Sequence, residues 1–138
     1  MKGLRRKTTS PSPSMLKGKS VCVIEDDPDQ VNILQTMLKD TGCALEVFTS
    51  GEEALERLMA TSMDLILADV MMPGLDGWEL HSRVRAEGPN RETPFIFTTC
   101  VINRNQETLM TDIPALTLSI AKPFNKEKLL KSIARLMG

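Results

Sequence analysis

No run in this chain approaches the ~18 consecutive apolar residues of a membrane span, and the N-terminus lacks the apolar core of a secretory signal. Both absences predict a cytoplasmic chain with no membrane partner. Cys22, Cys43 and Cys100 are odd in number and widely spaced, with no Cys-x-x-Cys pair and no Cys/His cluster, which excludes a disulfide framework and a zinc site. Buried free thiols are the expectation. Gly18-Lys19-Ser20 resembles the close of a phosphate-binding loop, but Pro13 stands where that motif needs glycine, and the strand follows it rather than precedes it.

What is present is ordinary globular composition with a split charge. With 138 residues, 41% hydrophobic and 25% charged, the chain has room for one domain with a proper core. The formal charge of −1 conceals six Lys/Arg and no acid in residues 1–19; from Ser20 onward eleven basic residues face eighteen acidic ones, a balance of −7. An acidic body argues against direct nucleic-acid binding and suits a site that holds a cation; no helix-turn-helix, kinase or further domain is expected. Residues 1–19, rich in Ser, Thr, Pro and Lys/Arg with little to bury, predict a flexible basic tail ahead of a domain over 20–138.

From Ser20 strands and helices alternate. Val21 to Ile24 form a β-branched strand ending in Glu25-Asp26-Asp27. Pro28 opens a helix with apolar Val31, Leu34, Met37 and Leu38, and Gly42 supplies the stop. Ala44 to Phe48 make a second strand. Ser50-Gly51-Glu52-Glu53 reads as a capping box before Ala54, Leu55, Leu58 and Met59. The third strand, Leu65 to Asp69, runs straight into a Pro73-Gly74 turn, and Asp76 caps a third helix. Pro94 to Thr99 is a fourth strand, 103–112 a weak fourth helix, and Ala115 to Ala121 a fifth strand closed by Lys122-Pro123-Phe124. Asn125 caps a last helix. This pattern predicts an α/β fold, a doubly wound five-stranded parallel sheet with helices on both faces.

If helices join consecutive parallel strands, all strand carboxyl ends face one way, which is where open sheets bind ligands. Glu25, Asp26, Asp69, Thr99 and Lys122 then converge. Clustered carboxylates imply a bound cation, a raised pKa, or both. Acidic oxygen donors suit Mg²⁺, which often shares its coordination with phosphate. Thr99 and Lys122 are fitting donors to phosphoryl oxygens, so Asp69 reads as a nucleophile that forms an aspartyl phosphate.

Together, Glu25-Asp26-Asp27-Pro28, the Asp69-Val70-Met71-Met72-Pro73-Gly74-Leu75-Asp76-Gly77 turn, Thr99 ending its strand, and Lys122-Pro123-Phe124 resemble the receiver domain of two-component response regulators. The resemblance implies a flavodoxin-like strand order 2-1-3-4-5. It makes Asp69 the phosphoacceptor and gives Mg²⁺ to Asp26, Asp69 and the Met71 backbone carbonyl, with Glu25 reaching the metal through water. Thr99 would bond the phosphoryl group, Lys122 would neutralise it, and Lys122-Pro123 would be cis. The implied donor is a phosphohistidine on a sensor histidine kinase or phosphotransfer protein. The implied output is a downstream protein, or a homodimer through the fourth helix, fifth strand and fifth helix. Such a chain catalyses its own aspartyl phosphorylation and dephosphorylation, with no turnover on external substrates.

Three departures fall on the output side: Ser119 where the family has an aromatic, Cys100 after the threonine, and Ile113-Pro114-Ala115 in place of a Gly-Ala pair. They keep open a pseudo-receiver, a binding module indifferent to phosphate. A haloacid-dehalogenase-like phosphatase would need an acid where Met71 stands, and a flavin module rests on topology alone. Elsewhere bland roles are expected: His81 on the surface, Trp78 packing near the turn, and Thr98 pointing away from the pocket by strand alternation.

Overall fold

The computed structural model describes residues 13–99 and 116–137. Five strands, β1 (Ser20–Ile24), β2 (Ala44–Phe48), β3 (Leu65–Asp69), β4 (Phe95–Thr99) and β5 (Thr117–Ala121), form one sheet of order β2-β1-β3-β4-β5, parallel throughout. Helices α1 (Pro28–Leu38), α2 (Gly51–Ala60), α3 (Gly77–Ala86) and α4 (Lys126–Met137) accompany them. The predicted α/β architecture and strand order are those observed. The expected helix over 103–112 and Cys100 lie outside the described residues.

Alternation along each strand divides the core in two. Cys22 and Ile24 in β1, Ile66 and Ala68 in β3, and Phe95 and Phe97 in β4 pack with Ala54 and Leu58 of α2 and Leu80 and Val84 of α3. Val21, Val23, Leu65, Leu67 and Ile96 point to the opposite face and pack with Leu34 and Leu38 of α1 and Leu129, Leu130 and Ile133 of α4. A strand covered on both faces must be apolar at every position, and all of β3 is buried. Each such leucine or isoleucine contributes ~1.5–3 kcal/mol by leaving water.

Helix starts follow the local chemistry. Asp27, Ser50 and Asp76 accept N–H bonds from Asp29, Glu53 and Glu79, and Asn125 Oδ1 accepts from the Lys128 N–H at 2.8 Å; each satisfies a donor that the helix leaves over. α1 ends at Leu38, a turn before the stop expected at Gly42, which adopts φ +78° in the loop that follows.

Two expectations change. Pro13–Leu16 forms a short 3-10 turn, Leu16 is fully buried in the α1/α4 core, and the Gly18 N–H donates to Gly42 O at 3.1 Å. Packing therefore begins inside the stretch assigned to the basic tail. His81 is not a surface residue: it is buried, and its Nε2 lies 3.1 Å from Thr117 Oγ1. Its ring packs edge-on to Phe95 at 4.8 Å. Burial, and secondarily Arg85, pulls the imidazole pKa down to about 4. Cys22 is buried and Cys43 half-buried, both as free thiols; burial first, then Glu46, pushes the Cys22 thiol up to about 12. No described helix is long and apolar enough to cross a membrane.

Candidate functional site

Strand register sets the site. Ile24 pairs with Ala68 and Asp69 with Thr98, so the residue after β1, Glu25, comes level with Asp69 across the β1/β3 boundary. That boundary is where the strand order reverses and a crevice opens. Thr99 ends β4 opposite Ala121, and its carbonyl accepts the Lys122 N–H at 2.7 Å. The Lys122-Pro123 bond is cis.

Lys122 Nζ bridges the two acids, 2.8 Å from Glu25 Oε1 and 3.3 Å from Asp69 Oδ2. Both acids are buried, Glu25 to 1% exposure. Their other oxygens face backbone donors: the Asp27 N–H bonds Glu25 Oε2 and the Met71 N–H bonds Asp69 Oδ1, each at 3.2 Å. The acidic run therefore divides its work, with Glu25 inside, Asp27 capping α1 and Asp26 exposed at the crevice. Glu25, Asp26 and Asp69 each offer an oxygen within 4.8 Å of the others.

Among the described residues, the cluster of three carboxyl groups is met by one ammonium, which pairs with Glu25 and Asp69. Burial is the main force pushing the Glu25 carboxyl up to about 7; the Lys122 bond opposes it and Asp69 adds to it. Burial pulls the Lys122 ammonium down, but the bond to Glu25 and the charge of Asp69 more than reverse this, and the net direction is upward. The arrangement fits a hard divalent cation, because the donors are oxygens, one acid is solvent-facing, and a cation would offset the repulsion from Asp69 that adds to burial in raising Glu25.

The sequence-predicted residues Glu25, Asp26, Asp69 and Lys122 are thus brought together, Thr99 is buried at the end of the neighbouring strand, and Met71, 63% exposed, lies in the loop after Asp69. Trp78 packs tilted against Phe97, with ring centroids 4.7 Å apart, and shares with Val70, Met71 and Pro73 the lining of a recess of about 470 Å³. Sequence reasoning missed Glu52, whose Oε2 accepts the Leu75 N–H of the Asp69 loop at 3.0 Å. A carboxylate beside a capping serine gave no local sign of a partner 23 residues away.

A family profile described as "Response regulator receiver domain" matches residues 21–134. The response regulator receiver protein CpdR of Brucella abortus is 29% identical over 86% of this chain and 97% of its own length. Transcription factor SKN7 of Saccharomyces cerevisiae is 32% identical over 88% of this chain but 19% of its own. The chain spans about half or less of the length of several such relatives. Among solved structures, the receiver domain of a Pseudomonas aeruginosa sensor histidine kinase, with a magnesium ion coordinated in its active site cleft, superposes with a TM-score of 0.77 at 25% identity. That match covers 88% of this chain and 98% of the other.

Proposed function

This chain belongs to the response regulator receiver family, whose members act in phosphorelay signalling, and we propose that Asp69 is its phosphoacceptor, taking a phosphoryl group from a phosphohistidine in a Mg²⁺-dependent step. One observation carries this reading: the Lys122 ammonium lies between Glu25 and Asp69, with Asp26 within ligand reach of both acids. Asp69 attacks phosphorus in line, the P–N bond to the donor imidazole breaks, and the leaving nitrogen keeps the electron pair and takes a proton. Glu25, Asp26, Asp69 and the Met71 carbonyl would hold Mg²⁺, with Glu25 acting through water. When bound, the metal offsets charge on the transferring oxygens. Lys122 follows the charge to the phosphoryl group, and the Thr99 hydroxyl donates to one of its oxygens.

The partners are then a sensor histidine kinase or phosphotransfer protein upstream and an unidentified protein downstream, with self-association through the surface around β5 and α4 as one form of output. The cytoplasm is the compartment this chemistry fits. Incubating the chain with Mg²⁺ and a small phosphodonor such as acetyl phosphate should label it at Asp69. A wild type that stays unlabelled, or an Asp69→Asn variant that labels equally, sinks the reading. Lys122→Ala should fold and still bind Mg²⁺, yet lose at least tenfold in phosphorylation-dependent partner binding; unchanged binding would remove Lys122 from the switch.

A second reading, the pseudo-receiver, draws on Ser119. It is half-buried in β5 opposite Phe97, so the ring that usually turns with the threonine is absent. Partner affinity that is the same before and after phosphorylation would favour this alternative.

A further inference from the structure

The loop from Val70 to Asp76 carries the Met71 backbone that the proposed site uses, and its hold on the rest of the domain is uneven. Its base is closed by backbone bonds: the Val70 N–H donates to Thr98 O at 3.1 Å and the Gly77 N–H to Val70 O at 3.0 Å. Val70, Met72 and Leu75 pack into the α2/α3 core. Between Met71 and Leu75, Pro73 has no N–H to give, and Gly74 takes φ +76°. At the far end of that stretch the Glu52 carboxylate receives the Leu75 N–H. Among the described residues two side chains from outside the loop bond its backbone: Asp69 takes the Met71 N–H at the near end, and Glu52 takes the Leu75 N–H at the far end.

Glu52 is free for this duty because the cap of α2 does not use it; the Ser50 hydroxyl takes the Glu53 N–H at 3.2 Å. Its place in the first turn puts a carboxylate at the positive end of the helix, and a bond from N–H to an ionised acceptor is stronger than a neutral one. The glycines on either side make the approach possible. A Cβ on Gly51 would stand 2.2 Å from Leu75 O, and one on Gly74 would stand 2.6 Å from Glu52 Oε2. So α2 and the loop meet backbone to backbone, with one carboxylate closing the contact.

We propose that Glu52 is a positioning residue for the phosphoryl-acceptor site, fixing the Val70–Asp76 loop so that the Met71 N–H stays on Asp69 Oδ1 and the Met71 carbonyl stays where the metal needs it. This rests on the Mg²⁺-binding reading given above. The loop's buried side chains hold its average position without Glu52, so losing the carboxylate loosens the loop rather than unfolding the domain. Support of this kind behind a metal ligand is worth about tenfold in metal affinity.

The test compares Glu52→Ala, Glu52→Gln and Glu53→Ala in the full chain. Glu53→Ala removes the same charge from the same helical turn without touching the loop. Mg²⁺ affinity by calorimetry, phosphoryl uptake from acetyl phosphate, and hydrogen exchange at the Leu75 amide are measured separately. Glu52→Ala should weaken Mg²⁺ binding about tenfold and speed exchange at Leu75, while Glu52→Gln, which keeps an acceptor, should fall between it and wild type. Glu53→Ala should match wild type in all three. If Glu52→Ala and Glu53→Ala bind Mg²⁺ equally well, the positioning role is overturned even where Leu75 exchanges faster, and the receiver reading stands. A wild type that binds Mg²⁺ but takes no phosphoryl group sinks the phosphoacceptor reading and leaves the Glu52 comparison decisive. A wild type that binds no Mg²⁺ overturns both.

Discussion

The two ends of the sheet handle buried polar groups in opposite ways. At the amino end Asn90, 1% exposed, uses its full capacity: Nδ2 donates to Leu58 O and Thr61 O, and Oδ1 accepts from the Met63 N–H and the Thr93 hydroxyl, all within 2.9 Å. Two donors and two acceptors are all an amide has, so nothing is left to bind. At the carboxyl end Glu25 and Asp69 share the ammonium of Lys122, with Asp26 within 4.8 Å of both acids, and the Glu25 carboxyl is pushed up to about 7, chiefly by burial and further by Asp69. A closed network specifies the fold. An open one, rich in carboxylate, is where a cation and a phosphoryl donor have something to gain.

The contrast predicts reciprocal mutants. Asp69→Asn should abolish phosphoryl uptake, the largest effect expected, while moving the thermal midpoint little, because it removes one charge from an over-acidic cluster. Asn90→Ala should do the reverse. Stripping its bonds orphans groups beneath α2 and β3, at a cost of about 3–5 kcal/mol, yet the folded fraction should label at the wild-type rate. Denaturant titration and labelling on both variants decide it. An Asn90→Ala chain that is folded but labels poorly would mean that the two ends are coupled and the comparison is wrong.

The carboxyl end was the more legible of the two. Apolar strand patterns stop at Glu25 and Asp69, and topology alone carries those tips to one edge; the order of the strands came from resemblance, since periodicity does not rank neighbours. The amino end was opaque because its bonds span loops that carry no pattern. His81 was misread although its period was in view: Gly77, Leu80, His81 and Val84 are the buried residues of α3, an i, i+3, i+4, i+7 stripe. Polarity was weighed above position. Leu16 belongs to a short Met15-Leu16 apolar pair in a Ser/Pro/Lys stretch, and its burial depends on a groove that only the assembled α1 and α4 create. Glu52 reads as part of a cap because its partner lies a whole βα unit away.

His81 gives the smallest effect and a separate probe of the amino end. Its Nε2 faces Thr117 Oγ1, whose oxygen also lies 3.4 Å from Arg85 Nη2. Arg85 can only donate, so the hydroxyl accepts there and turns its own proton toward Nε2, which suits a neutral imidazole. With the folded pKa near 4 against an ordinary 6.5, the unfolded chain binds the extra proton first as pH falls. Stability from this residue is therefore complete above about pH 6.5 and is lost as pH drops toward 4, by ~3 kcal/mol at most. Carboxylates titrate in the same window, so the measurement is a difference: unfolding free energy against pH for wild type and His81→Gln. The wild-type curve should fall more steeply between those limits, while the two run parallel above pH 7. Parallel curves throughout would mean that the histidine charges without penalty, and that the amino end is less closed than its hydrogen bonds imply.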